Sequence, residues 1–211
     1  MDGPHLVYFA DPMCSWCWGF SPVITAVRAR YGEGLPIRLV LGGLRPGTTR
    51  PMTAAARAEL AHHWDQVREA SGQAFDDDAF ARREGFVYDT DPASRAVVAA
   101  RTQDPELALP YLAAAQSAFY AKGRDITQTE VLAELADDLD LNRDRFIADL
   151  ATDAIKQETW GDYGLSQSAG VRGFPTLIAG KNPDGTYAMV TRGFQPAGSV
   201  MAIIDAWLAA R

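Results

Sequence analysis

The 211-residue chain is 47% hydrophobic and 22% charged, a balance that excludes wholesale disorder and fibrous architectures and suffices for one good core or two small ones. Twenty Lys and Arg against 27 Asp and Glu leave a net charge of −7, and with no basic cluster this argues against a nucleic-acid partner. The opening MDGPHLVYFADPM has no basic n-region and only a five-residue apolar run, Leu6 to Ala10, and no stretch approaches the roughly 20 apolar residues of a membrane span. The expectation is a cytoplasmic protein that engages neither membrane nor nucleic acid.

Leu6-Val-Tyr-Phe-Ala10, bounded by Pro4 and by Asp11-Pro12, reads as a buried strand. From Cys14 to about Tyr31, apolar residues recur at three- and four-residue spacing (Cys17, Phe20, Ile24, Val27) and Gly32 and Gly34 follow, which predicts a helix with Pro22 as an internal kink. Ile37-Arg-Leu-Val-Leu41 is again strand-like, and the turn-rich GGLRPGTTRP follows. From Thr53 to about Ser168 only helical patterns occur. They include MTAAARAELAHHWDQVREAS, a solvated helix start at Asp76-Asp77-Asp78, openings at Asp91-Pro92 and Pro105-Glu106, a capping box at Thr127-Gln-Thr-Glu130 and a last helix from Asn142 or Arg143. Pro175-Thr-Leu-Ile-Ala179, the turn Asn182-Pro-Asp-Gly185 and Tyr187-Ala-Met-Val-Thr191 form an expected hairpin, and a final helix covers about Pro196 to Ala210.

Cys14 and Cys17 are the only cysteines, and three readings compete for them. A structural zinc site normally needs four ligands; only His5, His62 and His63 are left to complete one, and adjacent His62 and His63 diverge by about 100 degrees on a helix. Two inert buried thiols are a genuine alternative, since free cysteine is among the most buried residue types. A redox pair is the third. The first amides of a helix and its partial positive charge stabilise a thiolate at Cys14, lowering its expected pKa below the free value of about 8.5. Cys17, one turn further in, lies on the same face. A C-x-x-C directly after the first strand of a β-α-β unit is the pattern of a thioredoxin-like redox site. Gly173-Phe174-Pro175-Thr176 before a later strand supplies a proline of the kind found cis in tight turns.

FADPMCSWCWGFSPV near the start, the long helical stretch and VRGFPTLI before the final hairpin together resemble the DsbA-like branch of the thioredoxin superfamily, and within it the cytoplasmic group of predicted protein-disulfide isomerases related to FrnE-type oxidoreductases. The resemblance spans essentially the whole chain. It implies an α/β thioredoxin-like fold (β-α-β … β-β-α) over 1–50 and 170–211, with a large all-helical insertion over 51–169 that covers the redox site. It further implies a thiol-disulfide oxidoreductase with Cys14 as nucleophile, Cys17 as resolving thiol and Pro175 as a cis-proline facing them. Pro12, Met13, Ser15, Trp16, Phe174 and Thr176 are then expected to shape the site or touch the client, Trp16 as the surface residue and Phe20 and Trp18 as core. The clients are protein or low-molecular-weight thiols and disulfides; no metal or organic cofactor is needed, and glutathione is an admissible co-substrate. Two alternatives stay open: a glutathione-dependent transferase or isomerase of the kappa type, which generally carries serine where this chain has Cys14, and a non-catalytic binding scaffold. Asp11 is near the pair in sequence, but no spacing argument makes it a base for Cys17.

Overall fold

Residues 3–182 and 184–211 are described by a computed structural model. Strand β1 (His5–Ala10) leads into α1 (Ser15–Tyr31) and β2 (Ile37–Leu41). Then come α2 (Ala54–Ser71), α3 (Asp77–Ala81), α4 (Asp91–Gln103), α5 (Ala108–Tyr120), α6 (Thr129–Asp137), α7 (Arg143–Leu150) and α8 (Asp153–Ser168). Strands β3 (Thr176–Gly180) and β4 (Ala188–Arg192) and helix α9 (Ala197–Ala209) complete the order. This is the α/β, thioredoxin-like architecture expected, with helices alone between β2 and β3.

The sheet order is β2-β1-β3-β4. Strand β1 runs parallel to β2, Leu6 opposite Ile37 and Ala10 opposite Leu41, and antiparallel to β3, Phe9 opposite Thr176. β3 and β4 form the hairpin, with an irregularity at Leu177/Ile178; Pro183 of its expected turn lies outside the described residues. Alternation along β1 divides its side chains between two faces. Leu6, Tyr8 and Ala10 join the large core beneath α1 with Cys17, Phe20 and Ile24, whereas Val7 and Phe9 pack with Val40 and Phe174 on the other face.

Strand β2 is an edge, and an unpaired edge exposes backbone donors and acceptors. Here two helices occupy them. Arg101 of α4 donates to the Leu39 carbonyl at 3.3 Å, and Asp162 of α8 accepts from the Leu41 amide at 3.1 Å. The same two side chains pair at 2.8 Å, and Glu158 holds Arg101 at 2.9 Å.

Helix α1 runs unbroken through Pro22. Proline has no amide to give the carbonyl four residues earlier, which is that of Trp18. The side-chain amide of Gln73, just beyond α2, donates to this carbonyl at 3.1 Å, and the Trp18 indole donates to the Ala74 carbonyl at 3.0 Å. The broken helical bond is thus replaced from the helical region.

Two helix boundaries differ from expectation. The Thr127 capping box does not form: Asp125 takes both the Thr127 amide and hydroxyl, a local turn that competes with the cap, and α6 starts at Thr129. The stretch from Asn142 to Ser168 is two helices, because Thr152 caps a new one by accepting from the Ile155 amide. Asp76, by contrast, caps α3 as its acidic run suggests.

Asp162→Ala strands the Leu41 amide and leaves Arg101, which is largely buried, with Glu158 as its one carboxylate beside the Leu39 carbonyl. Removing one member of such a pair is expected to lower the unfolding free energy by about 3 kcal/mol, and Asp162→Asn by less, since it keeps an acceptor. Urea titration checks this; a loss under about 1 kcal/mol for the alanine variant contradicts the sealing role.

Candidate active site

The loop from β1 to α1 is fixed by one side chain. Asp11 is fully buried, and its carboxylate accepts from the Met13 amide at 2.9 Å and from the Leu44 amide, just beyond β2, at 2.8 Å. Its own carbonyl accepts from the Cys14 amide at 3.2 Å and from the Gln116 side chain of α5 at 3.4 Å. Burial pushes the Asp11 carboxyl up to about 6 even though the two amides oppose the shift.

Cys14 is the N-cap of α1, in extended conformation, and no side chain caps the first turn. Its amides are therefore free to face a charge on the N-cap side chain. Both cysteines are free thiols. Cys17 is wholly enclosed at 0% exposure, against 7% for Cys14. Burial pushes the Cys17 thiol well up, as does the neighbouring Cys14, while a hydrogen bond from the Asp11 backbone works the other way. The two sulfurs thus share one helical turn in unequal surroundings.

The second sequence motif meets the first in space. Cys14 Sγ lies 3.6 Å from the Phe174 carbonyl oxygen, to which the thiol donates, and the Phe174–Pro175 peptide is cis. The far end of the Phe174 ring packs against Gly42: a Cβ there would come within 2.1 Å of Phe174 Cζ. Gly43, at φ +67, gives way in the same manner to the Tyr163 ring. Pro175 and Thr176 are buried, and the Thr176 hydroxyl donates to the Gly173 carbonyl at 2.8 Å. Pro12, Met13 and Ser15 are buried as well. Trp16 is half-buried and packs 6.0 Å from Phe194, while Phe20 and Trp18 belong to the core.

Several groups at this site have no signature in the sequence. Tyr88 donates to the Met13 carbonyl, and its hydroxyl lies 3.3 Å from that of Tyr120. Both come from the region between β2 and β3. Burial raises both phenols well above the usual range, and Cys14 adds to the effect. Tyr8, on β1, is raised in the same way by burial and then by Cys17 and Cys14. Strand alternation alone places Tyr8 on the face of Leu6 and Ala10, which α1 must cover; nothing comparable points to Tyr88 or Tyr120. Among the described residues no three His, Cys, Asp or Glu side chains converge as metal ligands, and no helix is long and apolar enough to cross a membrane.

A crystal structure of a candidate protein disulfide isomerase from Nitrosomonas europaea superimposes with a TM-score of 0.91 at 37% identity, over 100% of both chains. The cytosolic disulfide reductase DsbM from Pseudomonas aeruginosa, also solved with GSH, gives a TM-score of 0.79 at 29% identity, over 98% of this chain and 100% of that one. Among curated proteins, the ClpXP adapter protein SpxH of Bacillus subtilis is 25% identical over 173 residues. That match takes in 82% of this chain but only 57% of the adapter, so the chain spans little more than half the length of the curated relatives it matches. The profile of the family described as Thioredoxin matches residues 8–198. With a fold shared by DsbA-like oxidoreductases and a profile match over nearly its whole length, the chain belongs to the thioredoxin family.

Proposed function

We propose that the protein is a cytoplasmic thiol-disulfide oxidoreductase in which Cys14 attacks and Cys17 resolves. The observation that carries this reading is the unequal placement of two thiols on one turn: Cys14 at the uncapped start of α1, Cys17 sealed beneath it. A Cys14 thiolate opens a client disulfide, bonding to one client sulfur while the other leaves as a thiol. Cys17 then attacks Cys14 Sγ; the Cys14–Cys17 bond forms, the mixed disulfide breaks, and the departing client sulfur takes the proton Cys17 gives up. Reversal of these steps oxidises a client dithiol. Sulfur chemistry of this kind needs neither metal nor organic cofactor.

In this reading Gly173-Phe174-Pro175 is the backbone along which an extended client lies, the mode in which a peptide pairs with exposed backbone groups and side chains set specificity. Phe174 supports it, since its carbonyl already meets Cys14 and its half-buried ring lies beside the start of β3. The element order supports a division into a thioredoxin-like unit, 1–50 and 170–211, and an inserted helical unit, 51–169. The hydrogen bonds that Tyr88, Gln116 and Gln73 make to the segment 11–18 support an insertion that closes over the thiols. Similarity to DsbM favours cytosolic thiols, glutathione included, beside protein clients as partners.

Similarity to the SpxH adapters favours a second reading, in which the chain binds a protein without turning it over. The thiol variants separate the two. Cys17→Ser is expected to accumulate mixed disulfides with clients, and Cys14→Ser to lose both trapping and insulin reduction to the uncatalysed background. An adapter needs neither thiol and is indifferent to both changes. The kappa-type transferase reading requires instead conjugation of glutathione to an electrophile, measured alongside.

Gly42→Ala tests the support under Phe174. The new methyl displaces the ring and with it the carbonyl that meets Cys14, so insulin reduction should fall about tenfold or more, the scale of a misplacement near 1 Å, with Cys14 alkylation retained. An unaltered rate excludes Phe174 from client positioning.

Asp11 gives a pH signature. Its folded pKa, about 6, is raised above the ordinary value of 3.8, so the folded state holds the proton more tightly. The stability it contributes is full below about pH 4 and is lost as pH rises through 6, by about 3 kcal/mol in all. The unfolding free energy of Asp11→Asn should therefore gain on that of the native protein by this amount between pH 3.5 and 6.5 (approximate bounds from the same two values). A constant difference across that interval contradicts a buried, strained carboxylate.

A further inference from the structure

Tyr8 is the one large polar side chain of β1 that faces α1. It is 1% exposed, and its ring packs 5.9 Å from that of Phe20. Phe20 follows Cys17 by one helical turn, so Cys17 and Phe20 lie on the same face of α1 and Tyr8 lies under both. Its hydroxyl makes no hydrogen bond among the described residues. A buried hydroxyl without a partner opposes folding, and phenylalanine would fill this place without that cost. The hydroxyl does have a neighbour. It shares the core beneath α1 with the Cys17 thiol, and burial, followed by the charges of Cys17 and Cys14, keeps its proton bound well beyond the usual phenol range. No hydrogen bond joins the two in the dithiol state; when Cys17 carries charge, the O–H is a donor with no other partner among the described residues.

Resting on the oxidoreductase reading above, we propose that Tyr8 stabilises the Cys17 thiolate, its otherwise unpartnered O–H donating to the sulfur as Cys17 attacks the mixed disulfide at Cys14. No atom is transferred from Tyr8. Cys17 loses its proton, the Cys14–Cys17 bond forms, the bond from Cys14 to the client breaks, and the client sulfur leaves with a proton, while Tyr8 keeps its own. The Asp11 backbone N–H is the other donor at Cys17, and the ionised Asp11 side chain opposes the charge. Tyr8 is the side chain that favours it. Tyr88 and Tyr120 already have hydroxyl and carbonyl partners and do not share the role.

The test separates the two sulfurs. The reduced protein is mixed with limiting dithiobis(nitrobenzoate) in a stopped-flow instrument: the first thionitrobenzoate released reports attack by Cys14, and the second reports resolution by Cys17. In Tyr8→Phe the first phase should keep its rate and the second should slow about ten- to a hundredfold, the scale of one hydrogen bond to a charged group. Unfolding by urea should show Tyr8→Phe as stable as the native protein or more so, which a purely structural hydroxyl would also give; the second phase is what distinguishes them. A native second-phase rate in folded Tyr8→Phe overturns the assignment of Tyr8 alone. A native protein that never releases the second equivalent overturns the oxidoreductase reading along with it. Should Tyr8→Phe fail to fold, difluorotyrosine placed at position 8 keeps the shape and alters the donor; a second phase that does not respond to it counts against the proposal equally.

Discussion

One buried carboxylate holds the site together. Asp11 ends β1 and clasps two amides, Met13 on the way into α1 and Leu44 on the way out of β2. Both loops at the carboxyl end of the parallel pair are therefore tied to a single side chain, and α1 begins where that tie lets it. The cost is electrostatic: a charge that pairs with no basic side chain among the described residues, enclosed by protein, whose hydrogen bonds do not fully offset its lost hydration. Such a group is maintained where geometry matters more than stability. Here the geometry sets the position of Cys14.

The surroundings of the thiols are apolar in bulk and polar at chosen points. Tyr88 and Gln116 satisfy the carbonyls of Met13 and Asp11, the Asp11 amide reaches Cys17, and the Phe174 carbonyl meets Cys14. Because burial disfavours charge at Cys17, each donor directed at it changes reactivity more than it would in water, where the dielectric weakens it. The fold thereby makes two chemically identical side chains unequal.

Much of this was legible in the sequence because it rests on local rules. Short apolar runs bounded by turn residues marked β1 and β2, three- and four-residue spacing marked α1, and Asp76, Pro92 and Asn142 marked helix starts. The C-x-x-C after the first strand pointed to α1, and GFPT to the partner segment. What escaped was either a competition between nearby polar groups or a contact between distant ones. Asp125 capturing Thr127 is the first kind, since the capping pattern was present and lost to a nearer partner. Tyr88 reaching Met13 and Asp162 reaching the edge of β2 are the second, set by how helices pack rather than by any spacing. Asp11 lies between: visible beside the motif, but its hold on Leu44 depends on where β2 ends.

Pro22 in α1 has a consequence beyond its own helix. By withholding an amide it leaves the Trp18 carbonyl vacant, and Gln73 fills it. A residue with an amide at position 22 would compete with Gln73 for one acceptor, and a proline there without Gln73 would leave a carbonyl dry. The identities at 22 and 73 are therefore mutually constraining, so that drift at either position is tolerable only when the other accommodates it. The helix bearing the thiols and the helical region over it are bound to diverge together.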